Sequence, residues 1–450
     1  MIENLQGNPW LGMAIVAAAL VFAIGALQFV QRVSSLPPEA IRKSFHFASS
    51  VVALALPWLF ATPWPVVAMG GVSLLVFLAM RVVPALRAGP GQVLQAVPRE
   101  SAGEFWFILG VVAIFLLAGD DIVVYSVGIL VLAVADTAAA LVGIFYGKHK
   151  FEVPGGVKSA EGSFALLLVA FLCMHVPLLL FTDVGRAESL LIGLNVALLL
   201  MLAEADTSRG LDNFALPVMV VVLLDVFMDN SVAALVGDFV AILALGLFIF
   251  AFRNRTTLST DALIGVALGG FICWLFGDWQ WLVAPLFMLA TYTLLIGRPR
   301  LVESRAFHAD VLLAIVALPI TLVTLYEPLR YDVLYLMYVA SWCANLAVIG
   351  TLHRQLEHRE QPVRRFALAN TVKSLVIMVP ALGVAWPVEP KQAAATILAV
   401  PAALVVFSWV GGTLKDQPTQ PGRWWSVTAS VSLGVLGSFG VLEVGGVLLK

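Results

Sequence analysis

Charged residues are scarce in this chain of 450 amino acids. Asp, Glu, Lys and Arg make up only 12% of it, whereas 61% of the residues are hydrophobic and the mean hydropathy is +0.97. A water-soluble domain must cover its surface with many more charges than this. The composition therefore excludes a soluble globular protein.

The chain also lacks a basic excess and any grouping of cysteines. Its net charge is −2, so it has no polyanion-binding character, and we expect no nucleic-acid partner. Its cysteines, Cys173, Cys273 and Cys343, lie far apart inside apolar runs, so no metal-binding spacing of cysteines is present.

The apolar residues occur in long runs with almost no charges. Examples are Trp10–Val30, Ile122–Phe145 and Val232–Phe252, each near the roughly 20 residues that a helix needs to cross a bilayer. The runs do not alternate between polar and apolar residues as barrel strands do. We predict an all-α fold, a polytopic transmembrane helical bundle with about 16 spans.

The basic residues indicate an orientation for these spans. Most of the 26 Lys and Arg residues fall in alternate loops, which the positive-inside rule places in the cytoplasm. We expect both termini outside and an active site facing the cytoplasm, in the cell (inner or plasma) membrane. The acidic, polar start of the chain, Met1 to Pro9, predicts a retained first span instead of a cleaved signal peptide.

A polar loop, Arg253–Asp261, is the best internal boundary. Before it, the predicted cytoplasmic loops combine acids and bases in specific clusters, and after it they carry mostly Arg and His. We predict one membrane domain over 1–252 and a second helical membrane domain of unknown role over 253–450.

Two polar clusters precede the strongest one. Arg42, Lys43 and His46 share a helix face at spacings of three and four. A snorkelling basic anchor explains the first two but not His46, which lies a turn deeper. The second cluster, Arg99–Phe107, is typical of an interfacial aromatic belt.

The third cluster begins with a carboxylate inside a predicted span. Asp136 is expected about two to three turns from the cytoplasmic end of its helix, and an intramembrane carboxylate is functional by default because it is expensive to bury. Ala139, Ala140 and Gly143 share a stripe with it and predict the close approach of another helix.

The loop after this span favours phosphate binding. Lysines that include Lys148 and Lys158 flank paired glycines and a helix start at Ser159–Ser163. Free N–H groups at a helix N-terminus, with lysines beside them, suit a phosphate. Glu161 lies in that first turn, where its charge could complement the helix dipole. Beside a triphosphate the same carboxylate would be repelled unless a cation such as Mg²⁺ lay between them.

A fourth cluster supplies further carboxylates. Glu204, Asp206 and Asp212 lie in and beside one loop of the otherwise basic face. Mg²⁺ takes one or two such oxygens from protein and the rest from phosphate and water, while an ordinary solvated loop is the alternative.

Together these motifs resemble the polyprenol kinase family, which includes dolichol kinase, phytol kinase and a CTP-dependent diacylglycerol kinase. The likeness rests on Arg42-Lys-x-x-His46, on Asp136-Thr-Ala-Ala-Ala-Leu-Val-Gly143, on Lys158-Ser-Ala-Glu-Gly-Ser163 and on Glu204 with Asp212-Asn213. It covers about residues 1–250. Thr137 stands where the family commonly has Gly.

The resemblance implies that the γ-phosphate of CTP is transferred to a membrane-dissolved lipid alcohol, with Mg²⁺ as the metal. His46, Asp136 and Lys158 are the expected catalytic residues, and His46 or Asp136 would accept the alcohol's proton. The expected Mg²⁺ ligands are Asp136, Glu204 and Asp212. The residues expected to hold the nucleotide are Arg42, Lys43, Lys148, Lys158, Ser159, Glu161, Gly162 and Ser163.

Two other functions fit parts of the pattern. A CTP-dependent cytidylyltransferase of a phospholipid would use the same nucleotide and metal residues but release pyrophosphate. A membrane lipid or solute transporter would use Asp225, Asp238 and Lys373, yet these residues are scattered, and transporter sites usually lie near the bilayer midplane. The sequence identifies neither the alcohol nor the oligomeric state.

Overall fold

The structure is a computed structural model that describes residues 8–33, 38–83, 102–153, 156–206, 210–252, 258–292, 309–357, 364–384, 388–410 and 424–448. The chain forms two compact units, Met1–Ile242 and Leu243–Lys450. The boundary between the units falls inside one helix, whereas the sequence predicts a boundary in the loop that follows. That loop lies largely outside the described residues, so the predicted division of roles stays a prediction.

The first unit is built from helices and one hairpin. Its elements are α1 (Pro9–Val33), α2 (Pro38–Leu54), α3 (Leu56–Leu59), α4 (Trp64–Val82), α5 (Gly103–Ala118), α6 (Ile122–Leu130), a π-helical segment (Val131–Ala135), α7 (Asp136–Tyr146), β1 (Lys150–Val153), β2 (Gly156–Ser159), α8 (Ala160–Phe181), α9 (Arg186–Asp206), α10 (Asp212–Phe227) and the first part of α11 (Val232–Phe252).

The second unit is helical throughout its described part. Its elements after α11 are α12 (Thr260–Gly277), a 3₁₀ turn (Trp279–Leu282), α13 (Val283–Thr291), α14 (Ala309–Leu329), α15 (Val333–Glu357), α16 (Arg364–Leu375), α17 (Met378–Val384), α18 (Pro390–Val410) and α19 (Trp425–Leu448). Helix α15 is the centre of this unit, since α14, α16, α18 and α19 all pack on it.

The helices have the apolar length that a bilayer requires. Eight helical stretches of the described chain are long and apolar enough to cross a membrane: Pro9–Val33, Trp64–Val82, Ile122–Tyr146, Ala160–Phe181, Arg186–Glu204, Val333–Gln355, Phe366–Val384 and Pro390–Val410. Several shorter apolar helices accompany them. A polytopic helical membrane protein follows, while the count of about 16 spans and the side of each terminus stay predictions.

The outward side chains agree with a lipid environment. Phe22, Val379 and Trp409 expose 78%, 77% and 83% of their surface. They belong to a long series of exposed large apolar side chains throughout the described residues, and a soluble monomer rarely exposes this much apolar surface.

One short segment departs from the predicted helical fold. Strands β1 and β2 pair antiparallel, with Phe151 opposite Lys158 and Lys150 opposite Ser159. Four-residue strands are too short for periodicity to distinguish them reliably, and the residues between the two strands, which include Gly155, lie outside the described residues.

Candidate active site

A buried ion pair links α2 to α7. The Nζ of Lys43 lies 2.6 Å from Oδ2 of Asp136, and only 7% and 5% of these side chains are exposed. Because an unpaired charge is costly in such a place, each residue depends on the other. The charge of Arg42 also acts on Asp136, so two basic residues of α2 act on this carboxylate, whereas their predicted role in holding the nucleotide stays a prediction.

The π-helical segment Val131–Ala135 immediately precedes Asp136. Such segments interrupt the regular α-helical hydrogen bonding and are common at functional sites. The backbone carbonyl of Leu132, within this segment, interacts with the ring of His46. The irregular segment therefore contributes to the position of two site residues. It directly precedes Asp136, and it contacts His46.

His46 is a buried imidazole with an available nitrogen. Its Nε2 lies 3.6 Å from Oδ2 of Asp136 and has no hydrogen-bond partner in the described structure. Phe107 packs edge-to-face on the ring at 4.8 Å between centroids. The ring is held by packing, and its Nε2 is in a position to accept a proton.

A second lysine–carboxylate pair joins the hairpin to α9. The Nζ of Lys158 lies 2.8 Å from Oε1 of Glu204 and also donates to the backbone carbonyl of Glu204. Both side chains are largely buried, at 19% and 13% exposure. The pair brings together two predicted site residues that are distant in sequence.

The predicted helix start after the hairpin is confirmed. The hydroxyl of Ser159 accepts a hydrogen bond of 3.1 Å from the backbone N–H of Gly162, which caps α8. The N–H of Ala160 donates to the carbonyl of His149. These two N–H groups are engaged within the protein, so a phosphate that bound them would have to replace those partners.

The predicted small-residue stripe is also confirmed. A Cβ on Gly162 would lie 2.9 Å from the carbonyl oxygen of Ala139, and one on Gly143 would lie 3.2 Å from the Ser159 hydroxyl. Glycine thus lets the start of α8 approach α7 closely. This approach places the Lys158 strand beside the helix that carries Asp136.

Glu161 forms hydrogen bonds with the loop that precedes the hairpin. Its carboxylate accepts hydrogen bonds from the backbone N–H groups of Lys148 and His149 and lies 2.7 Å from Nδ1 of His149. These contacts engage the carboxylate within the protein, and its role as a helix-dipole cap or a metal ligand stays a prediction. The Lys148 side chain is exposed, and the Ser163 hydroxyl is buried without a hydrogen-bond partner in the described part.

Asp212 begins α10 and is partly buried. The side-chain amide of the next residue, Asn213, donates a hydrogen bond of 3.0 Å from Nδ2 to the backbone carbonyl of Gly103. A Cβ on Gly110 would lie 2.6 Å from the backbone oxygen of Asn213. Helix α5 therefore fixes the end of α10 that presents Asp212.

The three predicted metal ligands are electrostatic neighbours. The charges of Asp136 and Asp212 both act on Glu204. Among the residues described, no three His, Cys, Asp or Glu side chains are close enough to form a preformed metal site. The hard oxygens of these carboxylates nevertheless fit Mg²⁺, which needs only one or two from the protein.

Sequence reasoning missed two contributors. Phe107 belongs to the segment interpreted as an aromatic belt, yet it packs on His46. His149 contacts Glu161, although it has no clear role in the sequence pattern. An aromatic residue at the end of an apolar span gives the same signal at an interface and at a site, so the sequence could not separate the two.

Comparison with known proteins identifies one related enzyme. The chain is 31% identical to a phytol kinase from Synechocystis sp. over 220 residues, which are 47% of this chain and 91% of that protein. The chain matches no family model and no solved structure. Because nearly the whole relative is covered at this identity, the chain belongs to the phytol kinase family.

Proposed function

We propose that this protein is a CTP-dependent kinase of a long-chain isoprenoid or similar lipid alcohol, working at the cytoplasmic face of the membrane. One observation carries the proposal: the buried Asp136 lies between Lys43 and the available Nε2 of His46, within a chain that belongs to the phytol kinase family. A carboxylate, a lysine and an imidazole with one nitrogen that has no hydrogen-bond partner in the described structure form a suitable set for phosphoryl transfer to a hydroxyl.

The transfer would proceed by in-line displacement. The alcohol oxygen forms a bond to the γ-phosphorus of CTP, the bond from that phosphorus to the β,γ-bridging oxygen breaks, and CDP leaves with the electron pair. The hydroxyl proton passes to Nε2 of His46. The imidazolium so formed lies 3.6 Å from Asp136, whose negative charge stabilises it.

Lys43 and Lys158 are the cations nearest to this chemistry. Each is paired with a carboxylate, and each ammonium can exchange that partner for a phosphate oxygen because a lysine acts as a point charge. Asp212, Glu204 and Asp136 would hold Mg²⁺, which when bound supplies charge neutralisation to the phosphates. The apolar helices around the site suit an acceptor that diffuses within the bilayer.

The test uses purified full-length protein in lipid vesicles with γ-labelled CTP, Mg²⁺ and a panel of phytol, farnesol, polyprenol and diacylglycerol. We expect label on one of the alcohols and release of CDP. Release of pyrophosphate would identify a cytidylyltransferase instead. Absence of any transfer with CTP, ATP or another nucleoside triphosphate would overturn the kinase proposal, whereas activity with ATP alone would overturn only the choice of CTP.

Variants connect the assay to the site. Asp212→Asn removes one charge at nearly constant size and should lower turnover by about a hundredfold. Lys158→Ala should raise the CTP concentration required, with Lys158→Arg recovering only part of the loss. Arg186→Ala is the matched control, because Arg186 is exposed at the start of α9, beyond the end of α8 that is distant from the site. Normal rates in a folded Asp212→Asn protein would exclude Asp212 as a metal ligand.

A further inference from the structure

The second unit contains an apolar cavity that the proposed kinase site does not use. Its volume is about 140 Å³, and its wall is formed by residues of α11 to α15 and by Trp424. A cavity of roughly this size can hold a benzene-sized apolar group. The described residues of the second unit contain no carboxylate and lysine set comparable to that of the first.

The cavity is elongated along the central helix. Trp342, Ile349 and His353 all line it from one face of α15. Trp342 and His353 are 11 positions apart, which corresponds to ~16 Å along the helix axis. The cavity is too small to enclose a whole isoprenoid chain but is partly open, so it would hold one part of a single hydrocarbon chain while the remainder extends out of it.

The two ends of the cavity differ in polarity. His353 is buried at one end, where Tyr292 packs edge-to-face on its ring at 5.6 Å between centroids. The next residue, Arg354, is exposed in the last turn of α15, as expected near a membrane surface. Most of the other lining residues, Trp342 among them, are aliphatic or aromatic, and a Cβ added to Gly269 of α12 would make only ordinary contact with Ile320, at 3.7 Å.

We propose that this cavity is a binding site for a single-chain lipid alcohol, with its hydroxyl beside His353 and its chain extended along α15 toward Trp342. The imidazole of His353 and the phenol of Tyr292 can hydrogen-bond a hydroxyl. The rest of the wall is mostly apolar and can pack against the chain. Occupancy here does not depend on the kinase function proposed for the first unit.

The experiment uses the full-length protein in phosphatidylcholine vesicles with a farnesol analogue that carries a photoactivatable diazirine in its chain. We expect saturable labelling, mapped by mass spectrometry to cavity-lining residues such as Met288 and Cys273, and competed by excess geranylgeraniol. Labelling that does not saturate would mean that bilayer acyl chains fill the cavity, and adducts confined to residues outside it would equally overturn the proposal.

Two variants sharpen the result. A Cβ on Gly269 meets nothing closer than 3.7 Å, so Gly269→Leu should fill the cavity and abolish the cavity adducts. Gly437→Leu, at an exposed helical glycine with open space around it, should label normally. His353→Phe keeps a ring against Tyr292 and should raise the half-saturating probe concentration about fivefold, the effect of one lost hydrogen bond.

A further control separates this site from the kinase. Asp212→Asn should label as the wild-type protein does, because Asp212 belongs to the first unit. Unchanged cavity labelling in Gly269→Leu would refute the proposal, and if that variant does not fold, the wild-type adduct map still decides it.

Discussion

The Lys43–Asp136 pair holds two opposite charges at 2.6 Å in a place where both side chains are almost fully enclosed. Removing one partner leaves the other as an uncompensated buried charge. Lys43→Met and Asp136→Asn should therefore each destabilise the protein by about 3 kcal/mol. Thermal unfolding in detergent measures this loss, and transfer activity should fall in both variants.

The double variant separates the structural role from the chemical one. Lys43→Met combined with Asp136→Leu removes both charges, and neutral replacement of a buried pair commonly restores stability. We expect the melting temperature to recover most of its loss while phosphoryl transfer remains absent. A double variant as unstable as either single one would show that the pair does not explain their instability.

For single residues, the sequence indicates which side chains are candidates for the site more readily than it indicates which side chains they contact. Asp136 is identifiable as a candidate site residue because a carboxylate inside an apolar run is costly to bury. Its partner Lys43 lies 93 positions earlier, and no local periodicity connects the two. Lys158 and Glu204 are likewise predicted as site residues, but their pairing depends on how α8 and α9 pack.

The contact between α5 and α10 illustrates how whole elements position the site. A Cβ on Gly110 would approach the backbone oxygen of Asn213 to 2.6 Å, and a backbone atom cannot yield as a flexible side chain can. Gly110→Ala should therefore destabilise the protein by about 2 kcal/mol and lower activity by displacing Asp212.

Gly71→Ala in α4 is the control for this substitution. Gly71 is exposed, and a Cβ there meets nothing within 4 Å, so alanine should be neutral or slightly stabilising. Thermal unfolding and transfer rate of the two variants provide the comparison. Equal behaviour of both would mean that α5 does not hold α10 in place.

Element types follow from the sequence more readily than their irregularities. Long apolar runs predict the helices, and the Ser159 cap predicts where α8 begins. The π-helical segment and the hairpin were not predictable, because the segment Val131–Ala135 consists of residues equally at home in an α-helix. Local preference therefore does not explain the irregular turn.

For the whole molecule, the distribution of basic residues predicts which loops face the cytoplasm. Val157 in the hairpin and Arg186 at the start of α9 are both exposed and lie at opposite ends of α8. A cysteine at position 157 should react with a membrane-impermeant maleimide only from the cytoplasmic side. A cysteine at 186 should react only from the other side.

The unsubstituted protein, with its own three cysteines, sets the background for this labelling. Reaction of both positions from one side would contradict a single span between them. The sequence supports a prediction of topology because charge bias is a property of whole loops. It could not predict the cavity of the second unit, since apolar residues that line a cavity and those that fill a core have the same composition.

The π-helical turn before Asp136 gives the first unit a sensitivity to length as well as to composition. A π turn holds one residue more than an α turn, so everything after it is rotated by roughly 100° relative to an uninterrupted helix. If the segment Val131–Ala135 became a regular α-helix at unchanged length, the Asp136 carboxylate would swing away from Lys43. Deleting one residue from the segment would instead restore a regular helix and keep the carboxylate in its direction, because the π turn already accommodates one extra residue. An insertion elsewhere in this helix has no such compensation, so the number of residues before Asp136 sets the direction in which the carboxylate points.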